Sequence, residues 1–242
     1  ETPLLSALVR DDPEIVKLLI DKGADIRAVT NYNQTVTVAA IQMGKLEALK
    51  LFLAKGVDVN AEDRSGGTLL FHAAGSINNE ITKLLIELGG DINRPNQDGV
   101  TPLLRAVTRD QLENVRLLLA RGADVYLRDL KGTSPLMMAS SRNRLDIMLA
   151  LMDKGAPADM DALVKAAEVG HEEGVRLLLE RNRDSLVPFA AKALTLAAAN
   201  GNTSVVSTLI EYGVPVDSKD SYGETAIVKA AREGHDGTVE VL

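Results

Sequence analysis

Three histidines, His72, His171 and His235, are the side chains best suited to metal binding or acid–base chemistry in this sequence. They lie far apart, and the chain has no cysteine, so no zinc-ligand spacing is present. His171 and His235 each follow a glycine, at equivalent places in the chain. We therefore expect structural histidines, no metal site and no cofactor.

Nucleophilic chemistry is equally poorly supported by the sequence. Ser140 and Ser141 have no nearby histidine or repeated acid that would activate them. Gly66 and Gly67 are not followed by the Lys and Ser or Thr of a phosphate-binding loop. Asp159 and Asp161 supply two carboxylates, which are too few for a calcium loop. We expect a protein that is not an enzyme.

The composition narrows the class of partner. The 242 residues carry 27 basic and 34 acidic side chains, a net charge of -7, which argues against a general nucleic-acid binder. No stretch of about 18 apolar residues occurs, so no membrane-spanning segment is expected. Apolar residues make up 45% of the chain but aromatic residues only 3%, which favours a core of closely packed Ala, Leu, Val and Ile. We expect a cytoplasmic protein that binds neither nucleic acid nor membrane.

A period of 33 residues runs through most of the chain. It is carried by three rows of residues: Gly23, Gly56, Gly89, Gly122 and Gly155; Ala7, Ala40, Ala73, Ala106 and Ala139; and Thr2, Thr35, Thr68 and Thr101, continued by Ser134. The spacing then shortens to 27 and 31 residues before Ala230 restores it. Counted by these alanines, the chain contains about eight repeat units, of which the first and last are incomplete.

One unit, residues 98–125, shows how such a repeat folds. Gly99 permits a tight turn, Thr101 can cap a helix, and Pro102 suits the first helical position. Asp110 is expected in the left-handed conformation between this helix and a second one, which Gly122 ends. A single helical hairpin cannot bury its own apolar side, whereas stacked neighbours can.

These residues resemble the ankyrin-repeat family over essentially the whole chain. The matching strings include TPLLRA at 101–106, SPLMMA at 134–139, AAEVGHEEGVRLLLE at 166–180 and GADVY at 122–126. The resemblance implies an all-α ankyrin-repeat solenoid of stacked helix-turn-helix units joined by hairpin-like loops. The family's usual His after Thr-Pro-Leu is absent, and Leu5, Val38, Phe71, Leu104 and Met137 stand in its place.

We expect one array over residues 1–242, with irregular units at 155–193, where one loop is shortened and Asn-Arg-Asp replaces Gly-Ala-Asp. The array starts without its first turn and stops inside a second helix. We therefore expect it to be part of a longer chain.

The resemblance implies that a partner binds along the concave face, formed by loop tips and first helices. The family's variable surface positions fall here on Tyr32, Gln34, Met43, Arg64, His72, Asp98, Arg105, Arg109, Lys131, Met138, Arg142 and Tyr222. Several of these residues are basic within an acidic protein, so they form either a positive groove or ordinary charges paired with nearby acids.

The function predicted from this pattern is a protein–protein interaction module or scaffold that binds another protein, through an acidic peptide segment, across the central arginines. Two alternatives remain open at this point. The first is a sensor of a small anionic ligand that uses the same arginines. The second is a structural spacer within a larger protein.

Overall fold

The computed structural model describes residues 2–29 and 34–242. These residues form sixteen α-helices and one 3-10 helix, and their extended structure is limited to isolated antiparallel bridges such as Glu62 with Thr68. The predicted all-α fold class is confirmed. The chain divides into two compact units, unit 1 (residues 1–132) and unit 2 (residues 133–242). None of the described helices is both long and apolar enough to cross a bilayer.

Unit 1 consists of four helical hairpins, each with a first and a second helix. The first helices are α1 (Pro3–Arg10), α3 (Val36–Gln42), α5 (Leu69–Ala74) and α7 (Pro102–Thr108). The second helices are α2 (Pro13–Asp21), α4 (Leu46–Ala54), α6 (Asn79–Glu87) and α8 (Leu112–Ala120). Each first helix packs against the next, as α5 does against α7, and the second helices form the other layer.

Threonine caps begin all four first helices of unit 1. The Oγ1 atoms of Thr2, Thr35, Thr68 and Thr101 each accept a hydrogen bond from the backbone N–H three residues later. Asp110 follows α7 with φ +61°, and Gly122 follows α8 with φ +86°. The predicted cap, linker and helix end in residues 98–125 are therefore confirmed.

The repeated alanines lie where the first helices approach one another. Ala40, Ala73 and Ala106 have no exposed surface, and Leu103 and Leu118, in the same repeat as Ala106, are also buried. Because no void separates such helices, the seam accepts a methyl group at these positions and little more.

Replacing Ala106 with leucine should therefore overpack this seam. We expect the free energy of unfolding, measured by urea denaturation, to fall by about 2 kcal/mol. The matched control is Ala120→Leu, because Ala120 is exposed at the end of α8. Equal stabilities of the two variants would contradict close packing at Ala106.

Loop tips precede the first helices and join one another in unit 1. We define them as residues 63–67, 96–100 and 129–132. Gln97 N donates to Ser65 O at 2.8 Å, and Leu130 N donates to Asp98 O at 2.9 Å, so the three tips form one hydrogen-bonded row. Gly99 has φ +78°, and a Cβ there would lie 2.9 Å from Leu130 N. Glycine is therefore required by both the turn and the approach of the next tip.

Unit 2 also contains four helical hairpins. Its helices are α9 (Pro135–Ser141), α10 (Leu145–Asp153), α11 (Met160–Val169), α12 (Glu172–Leu186), the 3-10 helix Val187–Phe189, α13 (Ala191–Ala199), α14 (Thr203–Glu211), α15 (Ala226–Glu233) and α16 (Asp236–Val241). A six-residue segment, 154–159, joins α10 directly to α11 without room for a tip. Asn182 interrupts α12 with φ -152° and ψ 47°, and its Nδ2 donates to Ala158 O at 3.0 Å.

A side chain at the start of many second helices holds the preceding repeat. His171 Nε2 lies 3.2 Å from Ser141 O, and His235 Nε2 lies 2.9 Å from Ala199 O. The same role is played by three asparagines: Asn78, Asn114 and Asn202. The structural, helix-starting role predicted for His171 and His235 is therefore confirmed.

Candidate functional site

Most of the predicted contact residues lie in unit 1. Arg64, Asp98 and Lys131 are exposed on the three tips. Arg105 lies in α7, and Arg109 follows four residues later as its C-terminal cap. We call the tips and the solvent side of α5 and α7 the first-helix face of unit 1. Three predicted residues of unit 1 are not part of this face: Tyr32 lies outside the described residues, Gln34 is half-buried before α3, and Met43 follows the last residue of α3. His72 belongs to α5 but is buried, so it is not exposed on the face.

Three predicted contact residues lie in unit 2. Arg142 Nε donates to Met138 Sδ at 3.4 Å, and Tyr222 is 84% exposed on a tip. Beside Tyr222, Lys229 Nζ lies 2.7 Å from Asp220 and Arg232 pairs with Glu224. Lys229 and Arg232, which are not among the predicted contact residues, are therefore paired with nearby acids at this end of unit 2.

Asp63 organises the tip that leads into α5. Its Oδ1 accepts hydrogen bonds from Ser65 N at 2.8 Å, Ser65 Oγ at 2.7 Å and Gly67 N at 2.9 Å. Its Oδ2 lies 2.8 Å from Nε2 of His72, which belongs to α5. A carboxylate can only accept, so Nε2 carries the proton and donates it. The tip is therefore fixed onto α5.

The pKa values of this pair follow from their surroundings. Burial alone would raise the pKa of Asp63, but hydrogen bonds from Ser65, Gly67 and His72 together lower it below 3.8. Burial lowers the pKa of His72 below 6.5, with a further contribution from the charge of Arg105, and this outweighs the attraction of Asp63. His72 is therefore neutral at neutral pH, and its Nδ1 is buried without a partner.

The side chain of Arg105 packs against the aromatic ring of Phe71. Its guanidinium carbon lies 5.1 Å from the ring centroid of Phe71, in cation–π contact. Its Nε is buried without a hydrogen-bond partner, under the end of α5. There a Cβ on Gly75 would lie 3.0 Å from Nε. Packing rather than ion pairing thus holds the arginine in place.

The side chain of Arg109 lies beside the same glycine as that of Arg105. Its Cγ would lie 3.1 Å from a Cβ on Gly75, the residue that also touches Arg105. Burial, and then the charge of Arg109, lower the pKa of Arg105 from its ordinary value. Within the described ranges, no carboxylate lies within 4.0 Å of the Arg64, Arg105 or Arg109 side chains. Two like charges therefore stand together uncompensated, an arrangement that a bound anion would stabilise.

Two important residues of this face escaped the sequence prediction. Phe71 stands where the family has its usual His. This departure from the family pattern was the signal in the sequence that a different side chain supports the tip and the neighbouring repeat. Asp63 looked like an ordinary loop acid, because its four hydrogen bonds depend on the folded tip. Nowhere in residues 2–29 and 34–242 do three His, Asp or Glu side chains gather as metal ligands.

Comparisons with known proteins agree with this architecture. The family model "Ankyrin repeats (3 copies)" matches residues 1–63, 38–129, 122–188 and 163–242. The rice protein named probable E3 ubiquitin-protein ligase XBOS32 is 36% identical over 89 residues, covering 35% of this chain and 18% of its own. The Arabidopsis thaliana E3 ubiquitin-protein ligase XBAT33 is 34% identical over 89 residues, covering 35% of this chain and 17% of its own.

These curated relatives are much longer than the matched region, since the chain spans less than a fifth of their length. The human ASB11 ankyrin repeat domain superposes with a TM-score of 0.77 at 24% identity, covering 86% of this chain and 98% of that one, which bears on the fold alone. The matches of the family model extend along the whole sequence. This chain therefore belongs to the ankyrin-repeat family.

Proposed function

We propose that this chain binds another protein through the first-helix face of unit 1, and that the partner presents an acidic segment there. Ankyrin repeats are generally protein-interaction modules, which supports the general part of this proposal. The observation that carries the specific part is the uncompensated pair of Arg105 and Arg109 in a chain of net charge -7.

The geometry of this pair favours binding over a merely solvated charge. Arg105 is held between Phe71 and the end of α5, so little side-chain entropy is lost when it contacts an anion. A guanidinium also presents a planar fork that matches a carboxylate with two hydrogen bonds. Arg64 and Lys131 lie exposed on the neighbouring tips, where they would add to the attraction of an acidic segment.

Affinity purification with quantitative mass spectrometry tests the proposal. The bait chain is compared with the Arg105→Glu/Arg109→Glu variant, which reverses the charge of the pair. The matched control is Lys83→Glu/Arg121→Glu, the same change of charge at exposed positions of α6 and the end of α8. Circular dichroism confirms that all three chains are folded.

We expect some partners to bind both the wild-type chain and the control variant. The Arg105/Arg109 variant should bind these same partners at least about tenfold more weakly. These partners should carry acidic segments. The proposal is wrong if the Arg105/Arg109 variant retains the same partners at the same affinity.

A small anionic ligand would use the same two arginines, so the sensor function is the second candidate. Stabilisation of the wild-type chain by inorganic phosphate, absent from the Arg105/Arg109 variant, would favour it. The ligase activity named for the curated relatives belongs to much longer proteins, and we propose for this chain a binding role without catalysis.

A further inference from the structure

The linkers between first and second helices form a second row on unit 1, next to the arginine pair. Asn78 Nδ2 donates to Gly44 O at 2.9 Å, which joins the linker after α5 to the linker after α3. Asn114 Nδ2 donates to Ser76 O at 2.8 Å, which joins the same linker to α8. Gly75 lies against Arg105 and Arg109. The linker after α5 therefore touches both the linker after α3 and the arginine pair.

Two apolar side chains are exposed on this row. Ile77 is 89% exposed in the middle linker, and Met43 is 41% exposed at the end of α3. Neither residue is on a loose loop, since the hydrogen bonds of Asn78 and Asn114 pin the linker that carries Ile77. A rigid apolar surface beside uncompensated charge is typical of a contact site, and Met adapts readily to the shape of a partner.

We infer that the segment bound by unit 1 is amphipathic, with apolar side chains that cover Met43 and Ile77 and an acidic side chain that reaches Arg105 and Arg109. This inference rests on the proposed function and specifies the partner.

The repeat spacing sets the distance between the two partner side chains. Packed helices lie about 8–10 Å apart, and an extended chain advances about 3.3–3.6 Å per residue. Met43, Ile77 and Arg109 follow one another in successive repeats. An extended partner should therefore carry its acidic residue about three positions from the apolar residue that contacts Ile77.

Selection from a random peptide library displayed on phage, with the intact chain as the target, tests this inference. The selected peptide is then synthesised, and its dissociation constant is measured by fluorescence anisotropy. Three variants are compared with the wild-type chain: Met43→Ser/Ile77→Ser, Arg105→Glu/Arg109→Glu, and the control Val9→Ser/Leu18→Ser. Val9 and Leu18 are 59% and 57% exposed on α1 and α2, so this control removes similar apolar surface elsewhere in unit 1.

We expect the selected peptides to combine an apolar and an acidic residue. The Met43/Ile77 and Arg105/Arg109 variants should each weaken binding by about tenfold, while the control changes it less than about twofold. Weakening by the Arg105/Arg109 variant alone, or equal binding of a polyglutamate peptide, would overturn the inference and leave the proposed function intact. Peptides that are insensitive to both variants would overturn both proposals.

Discussion

We expect Asn114→Ala to lower the free energy of unfolding by about 3 kcal/mol, because it removes the buried side-chain donor of the Ala74 and Ser76 carbonyls. Asn114 lies in α8 and is 2% exposed. Its Nδ2 lies 3.3, 3.1 and 2.8 Å from the carbonyl oxygens of Ala73, Ala74 and Ser76, at the end of α5. Its Oδ1 has no hydrogen-bond partner, so the removal of that buried atom offsets a part of the lost free energy of unfolding.

Equilibrium urea denaturation measures this effect, with Arg116→Ala as the control. Arg116 lies on the same helix in an exposed pair with Glu113, so its loss should cost less than about 1 kcal/mol. If Asn114→Ala and Arg116→Ala are equally stable, the side chain of Asn114 does not join the two repeats.

The second large effect is expected at Asp63. Asp63→Ala removes the acceptor of Ser65, Gly67 and His72, and leaves the buried Nε2 of His72 without a partner. We expect the free energy of unfolding to fall by about 3 kcal/mol, with the tip before α5 losing its fixed conformation. Urea denaturation gives the free energy, and hydrogen exchange of residues 63–67 reports on the tip.

Asp98→Ala is the matched control for Asp63→Ala. Asp98 lies exposed on the next tip, where its backbone N–H donates to Asn96 Oδ1 and its backbone carbonyl accepts from Leu130 N. We expect it to change stability by less than about 0.5 kcal/mol. A loss at Asp98 as large as that at Asp63 would show that tip acids act through general charge rather than through this hydrogen-bond network.

The repeated elements of the fold were predictable because their signals are local. Thr101 caps α7, and Asp110 takes the left-handed conformation, since each depends on residues within one turn of the chain. The alanine row was equally clear, because a residue such as Ala106 must be small wherever first helices touch. These signals return in every regular repeat, so each supports the others.

The candidate site was predictable only in part. Arg105 and Arg109 are four residues apart on one helix, so their common face could be read from the sequence. The burial of His72 could not, because it depends on Asp63 folding back from the tip and on Phe71 beside it. The apolar neighbour Ile77 was also missed, since its position beside the arginines depends on packing between repeats.

Hydrogen–deuterium exchange of the chain, with and without a bound partner, tests most directly which face of unit 1 makes the contact. Binding to the first-helix face should slow exchange in residues 63–77 and 96–109, and leave exchange in the second helices α4, α6 and α8 unchanged. Slowed exchange confined to α4, α6 and α8, with unchanged tips and first helices, would contradict binding through Arg105 and Arg109.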